Sequence, residues 1–291
     1  MTETPPPRVT LVLPVRNGER YLQEALDSIL GQTFPDFELV CIDDASSDAT
    51  ASLLAQAAAC DARIRILTNG AKRGLPASLN RGFADARGAL HGWASHDNRL
   101  HPAMIETLVR ALGDNPGCSV AYAAYREIDA DGVVTGHHAA RPPGVLMQAN
   151  IVGPAFLARA GVWQALGGYD EALEGVEDYD FWLRARHRFR FCPVRESLLD
   201  YRLHPGSMTA RHSTAIAAAH DRLLEREIPK EPDRRRRAMA WLALMELRQD
   251  PARLRYAARA VTAHPGAALS RSRAIVRWMR AALAARSGRA Y

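Results

Sequence analysis

Short apolar runs alternate along the first half of the chain with longer segments in which apolar residues recur every three or four positions. Runs of the first kind predict buried β-strands, and segments of the second kind predict amphipathic helices. The predicted strands cover 9–13, 37–42, 64–67 and 89–94. The first predicted helix has Asn17 as its N-cap. The other predicted helices cover 49–59, 76–86 and 102–112. Strands that alternate with helices favour right-handed crossovers, so the pattern predicts an α/β fold with a mainly parallel central sheet.

Polar residues follow each of the four predicted strands. They are Pro14, Arg16 and Asn17 after the first strand, Asp43 and Asp44 after the second, Arg73 after the third, and Ser95, His96 and Asp97 after the fourth. Because the carboxyl ends of parallel strands face one crevice, we expect these residues to lie close together. Carboxylates accept hydrogen bonds from hydroxyls, and arginine offers a planar fork to phosphate. The pattern is therefore typical of a site for a ligand that carries hydroxyls and phosphates.

Asp97 has two interpretations at this point. The apolar run at 89–94 stops on a polar cluster, which makes Asp97 a candidate for holding a metal ion or a ligand hydroxyl at the sheet edge. Alternatively, Asp97 and Asn98 only form the turn before the helix that Pro102 opens, since Asx residues favour such positions. The residues alone leave both interpretations open.

The alternation fades beyond residue 119. The sequence predicts one strand over 119–125 and a turn-rich excursion over 126–138. His137 and His138, at the end of that excursion, are interpreted as exposed loop residues, because no nearby residue completes a metal ligand set.

Three acidic residues, Glu177, Asp178 and Asp180, begin an apolar helical segment. Acids in the first turn of a helix complement its dipole by roughly 0.3–1 kcal/mol each, which gives them an ordinary structural role. The alternative is catalytic, because a carboxylate placed beside a hydroxyl accepts its proton in the transition state. The first half of the chain offers ligand-binding groups but no general base, so Asp178 or Glu177 is the candidate for that role.

Composition and cysteine spacing restrict the class of protein. The chain has 291 residues and is 47% apolar, which suffices for a large α/β domain with an appendage. Its four cysteines form no CxxC pair, and Cys41 and Cys118 lie in apolar runs, so neither a disulfide framework nor a zinc site is expected. The first residues lack the features of a signal peptide, and no run of about 18 apolar residues occurs. We expect a cytoplasmic protein without a membrane span.

The positive charge is concentrated in the last part of the chain. The net charge is +6, yet residues 213–291 hold 17 lysines and arginines against 7 acidic residues. This part is predicted to be helical over 214–227, 233–248, 251–264 and 268–286. A basic amphipathic helix can contact an anionic membrane surface, or its apolar stripe can pack on the body of the protein. No motif for nucleic-acid recognition accompanies the charge, so nucleic acid is not an expected partner.

The chain lacks the sequence motifs of two nucleotide-binding classes. No GxGxxG follows a predicted strand, and no GxxxxGK[ST] is present, so the dinucleotide-binding dehydrogenases and the P-loop NTPases lose their main support. Nucleotidyltransferases would need a basic, glycine-rich loop directly after the first strand. The segment Pro14-Val15-Arg16-Asn17-Gly18 does not supply one.

Several sequence blocks occur together in one order. They are Leu13-Pro14-Val15-Arg16-Asn17-Gly18, Ile42-Asp43-Asp44-Ala45-Ser46-Ser47-Asp48, Gly74-Leu75-Pro76-Ala77-Ser78-Leu79-Asn80, Gly167-Gly168-Tyr169-Asp170, Glu177-Asp178-Tyr179-Asp180 and Tyr201-Arg202-Leu203-His204. With these blocks the chain resembles the family-2 glycosyltransferases of the GT-A fold over about residues 8–212. The resemblance implies a GT-A domain at 1–212, with a nucleotide-binding half at about 8–118 and an acceptor and catalytic half at about 119–212. A basic α-helical region follows at 213–291.

The resemblance also implies roles for individual residues. The donor would be a nucleotide sugar, bound with a divalent cation, Mg²⁺ or Mn²⁺, and the sugar would be transferred by single displacement with inversion. The residues implied in nucleotide-sugar binding are Pro14, Arg16, Asn17, Asp43, Asp44, Arg73, Ser95, His96 and Asp97. Asp97 matches the last acid of the family's metal-binding DxD motif, and His204 lies where family members place a residue near the diphosphate or metal. Asp178 matches the catalytic base, with Glu177, Gly153 and Trp182 on the acceptor side.

The chain departs from the family pattern at the DxD motif. Ser95 stands in place of the first acid and His96 occupies the middle position. Hard cations prefer several oxygen ligands, so a single carboxylate leaves most of the coordination to phosphate and water, and we expect weak metal binding without the donor. His96 is then either a contact to a ribose hydroxyl or phosphate or a solvated loop residue.

The sequence thus predicts an inverting, metal-dependent glycosyltransferase of surface polysaccharide or glycolipid synthesis. Its partners would be a nucleotide-sugar donor and a glycan or lipid-linked acceptor, with possible peripheral contact to the inner membrane face through the basic C-terminal helices. The alternative is a catalytically degenerate protein that binds a nucleotide sugar or scaffolds a glycan-synthesis complex. The missing acid at Ser95 favours that alternative, whereas the retained Asp178 opposes it.

Overall fold

A computed structural model describes residues 5–247 and 253–269. The chain divides into two compact units, one formed by Met1–Pro143 with Ile151–Ile216 and the other by Gly144–Asn150 with Ala217–Tyr291. The first unit contains the β-sheet and every residue that the sequence places in the candidate site.

The first half of the sheet is parallel. Its elements are β1 (Val9–Val15), α1 (Leu22–Leu30), β2 (Phe37–Asp43), α2 (Thr50–Cys60), β3 (Ile64–Thr68), α3 (Leu75–Ala84) and β4 (Leu90–Trp93). The strands lie in the order β3-β2-β1-β4, and all three neighbouring pairs are parallel. Every residue of β1 and β2 is buried, which explains why these strands appear in the sequence as continuous apolar runs rather than as alternating ones.

The second half of the sheet is mixed. Its elements are β5 (Arg99–Leu100), α4 (Met104–Asp114), β6 (Val120–Ile128), β7 (Val134–His138), β8 (Phe156–Arg159), α5 (Ala160–Leu166), α6 (Glu177–Ala185), β9 (Phe191–Arg202) and the short α7 (Met208–Arg211). The sheet continues from β4 through β8, β6 and β9 to β5, and β7 pairs with the edge of β6. Strand β8 is antiparallel to both β4 and β6, while β9 is parallel to β6. The predicted α/β fold class is confirmed.

The segment expected to be a turn-rich excursion is instead a β-hairpin. Strand β6 continues to Ile128 and pairs antiparallel with β7, and Gly132 in the connecting turn has a φ of 87°, which favours glycine. The prediction was wrong because β7 is an edge strand with mostly exposed residues. Such a strand has no buried face, so its sequence carries no apolar alternation.

Asn17 does not cap the first helix, which begins at Leu22. Its φ of 51° lies in the left-handed region, which asparagine tolerates better than most residues. The Asn17 backbone N–H donates to Ser46 Oγ at 3.0 Å, and its side-chain Oδ1 accepts from the Ser47 N–H at 2.8 Å. Asn17 therefore joins the loop after β1 to the loop after β2.

The expectation of unpaired cysteines is wrong for one pair. Cys118 and Cys192 form a disulfide, with their Cα atoms 6.1 Å apart. They lie at the starts of the neighbouring parallel strands β6 and β9, although 74 positions separate them in the sequence. Only the sheet topology brings them together, so their spacing gave no signal. Cys41 is a buried free thiol, whose pKa burial raises to about 12, and Cys60 is exposed.

The second unit is helical. Its helices are the larger part of α8 (Ser213–Glu227), then α9 (Arg234–Leu247), α10 (Arg253–Ala263) and α11 (Pro265–Leu269). Helices α9 and α10 pack together, with the Trp241 and Tyr256 rings stacked at 5.7 Å. The predicted helices at 214–227, 233–248 and 251–264 correspond to α8, α9 and α10, while most of the helix predicted over 268–286 lies outside the described residues. Among residues 5–247 and 253–269, no helix combines the length and apolarity that crossing a bilayer requires.

Candidate functional site

Asp44 organises the nucleotide side of the crevice. Its buried carboxylate follows β2 and accepts three hydrogen bonds from the segment between β3 and α3. The Asn69 side-chain amide and the Arg73 backbone N–H donate to Oδ1, each at 2.7 Å, and the Gly74 N–H donates to Oδ2 at 3.0 Å. A carboxylate has about four acceptor positions, so most of the hydrogen bonds that Asp44 can accept come from this loop.

Arg16 joins the ends of the two central strands. Its guanidinium donates to the carbonyls of Asp44 at 2.7 Å and Ala45 at 3.0 Å. The buried Asp43 carboxylate accepts from the Ser46 N–H at 3.0 Å, and Pro14 lies within β1 itself. The Arg73 side chain is exposed at the same edge. The residues that follow β1, β2 and β3 are therefore brought together at one edge of the sheet, as expected from parallel strands.

Asp97 contacts His204, which comes from beyond the end of β9. The distance from His204 Nε2 to Asp97 Oδ2 is 3.1 Å, and the two side chains are only 10% and 12% exposed. The Ser95 hydroxyl donates to Asp97 Oδ1 at 2.6 Å. The His204 ring also lies 5.0 Å from the Tyr21 ring. Both carboxylate oxygens of Asp97 therefore have partners within the protein, and through His204 the side chain joins the end of β4 to the segment after β9.

His96 is not a solvated loop residue. A Cβ atom placed on Gly18 would lie 2.7 Å from His96 Cδ2, so the imidazole packs directly under the backbone of the loop after β1. Burial lowers the pKa of His96 and favours the neutral ring. The His96 ring therefore packs against the loop that follows β1. A side chain at Gly18 would collide with this ring.

Arg202 is a site residue that the sequence interpretation missed. Its Nε donates to the Asp97 carbonyl at 2.9 Å, and its backbone N–H donates to Asn98 Oδ1 at 3.0 Å. The guanidinium also donates to the carbonyls of residues 129 and 130 and pairs with Glu24, and it lies 4.5 Å from the centre of the Tyr21 ring. The side chain is only 2% exposed. Its position in the block Tyr201-Arg202-Leu203-His204 was the available signal.

The acidic residues at the start of α6 differ in environment. Glu177 is buried, and its carboxylate accepts from the Gly175 N–H. Burial and, to a smaller extent, the neighbouring charge of Asp178 raise the pKa of Glu177 to about 8. Asp178 Oδ1 accepts from the Tyr179 N–H at 2.6 Å. At neutral pH Glu177 therefore keeps its proton.

The charges of Asp97 and Asp178 both act on one side chain, Tyr201 of β9. Burial raises the pKa of the Tyr201 phenol, and the charges of Asp97 and Asp178 both act on it in the same direction. Asp178 also acts on the phenol of Tyr125, whose pKa burial raises to about 12. The two candidate carboxylates come from the end of β4 and the start of α6, yet they lie within electrostatic reach of one hydroxyl.

A network of buried polar contacts fixes the start of α6. The Asn80 side chain donates to the Tyr169 carbonyl and accepts from the Tyr169 N–H, both at 2.9 Å. Arg184 donates to Asp180 at 2.7 Å and to the carbonyls of Leu166 and Gly168, each at 2.9 Å. These contacts hold the turn before α6 and give Asp180 a structural role.

Two residues predicted on the acceptor side have different positions. The Trp182 side chain is completely buried and packs against aromatic rings of the core, including Phe156 at 4.9 Å, so it cannot touch an acceptor. An apolar helix face suits a pocket wall as well as a core, and the sequence did not distinguish them. Gly153 has a φ of 62°, and a Cβ atom on it would lie 3.0 Å from the Tyr125 ring. Its role is to let Tyr125 approach the backbone closely.

The family follows from comparison with known proteins. The sequence profile described as Glycosyl transferase family 2 matches residues 10–159, which include β1 to β8 and the crevice residues up to Asp97. The chain belongs to glycosyl transferase family 2.

Relatives in this family have been found in several bacteria. An uncharacterized glycosyltransferase of Rickettsia felis is 31% identical over 211 residues, which cover 66% of this chain and 33% of the relative. The O-antigen biosynthesis protein RfbC of Myxococcus xanthus is 29% identical over 187 residues, covering 61% of this chain and 14% of the relative. The chain thus spans a third or less of the length of these two family members.

Two solved structures share the fold at low sequence identity. The crystal structure of S. aureus TarS 1-349 aligns with a TM-score of 0.69 at 15% identity, covering 98% of this chain and 93% of that chain. The mannosyltransferase PcManGT from Pyrobaculum calidifontis, in complex with GDP-Man and Mn²⁺, aligns with a TM-score of 0.59 at 17% identity, covering 97% and 81%. Both likenesses establish the GT-A type of fold for this family-2 chain.

The protein offers only part of a ligand set for the divalent cation that a family-2 enzyme implies. Within the part of the chain that the structure describes, no three His, Cys, Asp or Glu side chains come together as a ligand set. Asp97 and His204 nevertheless lie in contact and offer one carboxylate oxygen and one imidazole nitrogen. This pair fits Mn²⁺ better than Mg²⁺, which prefers oxygen donors alone, and further oxygen ligands would have to complete the set.

The raised pKa of Glu177 predicts how stability depends on pH. Between about pH 4.5 and pH 8 the folded protein keeps a proton that the unfolded chain loses, so the free energy of unfolding falls as pH rises through this window. Glu177→Gln resembles the protonated acid and does not titrate. We expect the variant to be more stable than the parent at pH 8, by on the order of 3 kcal/mol, and nearly equal below pH 4.5. Urea unfolding across this pH range measures the difference, and parallel stability curves for the two proteins would contradict it.

Proposed function

We propose that this chain is an inverting glycosyltransferase that moves a sugar from a nucleoside diphosphate donor to an acceptor hydroxyl. The observation that carries the proposal is the contact of Asp97 with His204 at 3.1 Å, at the end of the strand β9 whose Tyr201 phenol is reached by the charges of both Asp97 and Asp178. A donor whose diphosphate lies beside Asp97 would present its sugar toward Asp178. Binding and catalysis would then occur within one crevice.

The donor side of the proposal uses the edge formed by the ends of β1, β2 and β3. Arg16, Asp43 and the loop held by Asp44 would surround the nucleoside, with the exposed Arg73 near the base or phosphates. Two structural neighbours support a nucleotide-sugar donor, since TarS was solved with UDP-GlcNAc and PcManGT with GDP-Man and Mn²⁺. Asp97 and His204 would hold the cation, which when bound stabilises the negative charge of the departing nucleoside diphosphate.

The transfer itself is a single displacement. Asp178 accepts the proton of the acceptor hydroxyl while the acceptor oxygen forms a bond to the anomeric carbon of the sugar. The bond from that carbon to the diphosphate breaks at the same time, its electron pair leaves with the nucleoside diphosphate, and the configuration inverts. Because Glu177 keeps its proton at pH 7, Asp178 and not Glu177 is the proposed base.

The proposed biological context is surface polysaccharide or glycolipid synthesis with a glycan or lipid-linked acceptor. The similarity to the O-antigen biosynthesis protein RfbC supports it. We also propose peripheral contact with the cytoplasmic membrane face. Support comes from the second unit, where the side chains of Arg234, Arg235 and Arg236 are exposed on α9 and those of Leu254 and Val261 are exposed on α10. Basic and apolar groups together favour an anionic lipid surface.

A donor panel tests the proposed function. The full chain is incubated with UDP-, GDP-, dTDP- and CMP-sugars, with and without Mn²⁺, and release of the free nucleotide is measured. We expect hydrolysis or transfer with the sugars of one nucleotide. Saturable binding of a nucleotide sugar without any release would contradict the enzyme and favour a protein that only binds nucleotide sugars.

Asp97→Ala is expected to remove the contribution of Mn²⁺ to nucleoside diphosphate affinity. The variant loses the carboxylate, which is the only oxygen ligand in the proposed pair. We expect affinity measured by calorimetry with Mn²⁺ to fall at least about tenfold, to the metal-free level. Ser95→Ala is the matched control, since it removes only the hydroxyl that donates to Asp97, and we expect a smaller loss. Unchanged affinity in Asp97→Ala would refute the metal assignment.

A further inference from the structure

His137 and His138 have no role in the proposed reaction, yet the structure places one of them in a defined cluster. Both lie on β7, and His138 is the cross-strand partner of Tyr125 on β6. The two rings stack, with centroids 4.5 Å apart and planes inclined by 7°. Directly opposed residues on antiparallel strands are the pairs whose side chains interact most closely. The His138 ring is therefore positioned by the hairpin register and by the Tyr125 ring beneath it.

Tyr125 is placed by an irregularity in the sheet. The register between β6 and β9 shifts between Ala124 and Arg126, so Tyr125 has no partner in that ladder. Bulges of this kind redirect side chains and occur often beside active sites. The absence of a side chain on Gly153 allows its backbone to approach the Tyr125 ring. Tyr125 also packs edge-on against Tyr201 with ring centroids 6.1 Å apart, which places it next to the carboxylates of the crevice.

His138 presents one free aromatic face. Its Nε2 contacts Glu127 Oε1 at 2.8 Å, which fixes the orientation of the ring, and Tyr125 covers one of its faces. The side chain is nevertheless 43% exposed. With one face and one edge covered, the exposed part includes the outer face of the imidazole. An aromatic ring with one face and one edge covered and the other face exposed suits the binding of another flat, weakly polar surface.

We propose that the outer face of His138, backed by Tyr125, binds the neutral pyranose ring of the acceptor. The C–H groups on one face of a pyranose pack on an aromatic ring, while its hydroxyls can donate to carboxylates such as Glu127. The negative charge of Glu127, whose Oε1 lies 2.8 Å from His138 Nε2, disfavours an anionic sugar at this position. The proposal rests on the proposed function, because it assigns the bound sugar to the acceptor of that reaction.

His138→Ala tests the subsite, with His137→Ala as the matched control. Both side chains are exposed on β7, but successive residues of a strand face opposite sides of the sheet, so only His138 stacks on Tyr125. The His138 ring resonance is identified by its loss from the NMR spectrum of His138→Ala. The full chain is then titrated with the methyl glycosides of glucose, galactose, mannose and N-acetylglucosamine, and with glucuronate.

We expect at least one neutral glycoside to shift the His138 resonance of the parent. Its affinity, measured by calorimetry in all three proteins, is expected to fall about tenfold in His138→Ala and less than about twofold in His137→Ala. Glucuronate is expected to bind more weakly than that glycoside. The proposal is overturned if no neutral glycoside shifts the resonance, if glucuronate binds more tightly, or if the two variants lose affinity equally.

A kinetic arm separates this proposal from the proposed function. Nucleotide release from the donor without acceptor is measured in the parent and in both variants, followed by transfer to the glycoside found by NMR. His138→Ala is expected to keep donor hydrolysis within about twofold and to lose about tenfold in kcat/KM for that glycoside. Absence of both donor hydrolysis and transfer in the parent refutes the proposed function, while the NMR titration still decides whether the neutral-sugar subsite exists. Equal transfer by His138→Ala and the parent would refute the acceptor role.

Discussion

Replacing Asp178 with asparagine is expected to lower kcat for transfer by about 10²- to 10⁴-fold, which is the range that general base catalysis contributes. Asparagine keeps the size of the side chain and can still accept from the Tyr179 N–H, as Asp178 Oδ1 does. It cannot take a proton from the acceptor hydroxyl. Single-turnover transfer with saturating donor and acceptor measures the loss.

Two controls make the Asp178 result specific. Donor affinity is expected to stay within about threefold, because Asp178 is proposed to contact the acceptor hydroxyl and not the nucleotide. Glu196→Gln removes an exposed acid from β9, away from the start of α6, and is expected to retain activity. Full transfer by Asp178→Asn at saturation would show that another group is the base.

Arg202→Ala is expected to lower the free energy of unfolding by about 2–4 kcal/mol, because it leaves several backbone carbonyls without their charged donor. The lost contacts include those to the carbonyls of Asp97 and Ala130 and the ion pair with Glu24. Since the Asp97 carbonyl is released, nucleoside diphosphate affinity should fall as well. Urea unfolding and calorimetry measure the two effects.

Arg126→Ala is the matched control for Arg202. Arg126 also pairs with β9, since its Nε lies 2.7 Å from Asp200 Oδ1. Its side chain, however, is 40% exposed. Exposed ion pairs contribute roughly 0–1 kcal/mol, so we expect a small loss of stability and unchanged nucleotide affinity. Equal losses in the two variants would mean that Arg202 has no special role at Asp97.

The parallel half of the fold could be predicted because its physics is local. Strands that are buried on both faces, such as β1 and β2, need continuous apolar sequence, and the helices between them need an apolar stripe. The grouping of Arg16, Asp43 and Asp44 follows from the rule that parallel strands end at one edge. That rule does not predict which hydrogen bonds these residues form, and for Asp97 the grouping stays a prediction.

The features that the sequence did not reveal depend on distant parts of the chain. The Cys118–Cys192 pair exists because β6 and β9 are neighbours, which no spacing rule states. Trp182 was assigned to the acceptor side because a buried aromatic residue looks the same in a core and in a pocket wall. Arg202 was missed because its partners lie in several loops, and the Tyr125–His138 stack required the register of an exposed hairpin.

The Asp44 contacts have a consequence for how a nucleotide would bind. The segment from Asn69 to Gly74 is ordered by three hydrogen bonds to one carboxylate, all of them contacts within the protein itself. Its conformational entropy is therefore lost during folding and is not lost again on association. Nucleotide capture at this edge then needs little rearrangement of the loop, so the association rate should be governed by diffusion and charge rather than by a slow conformational step.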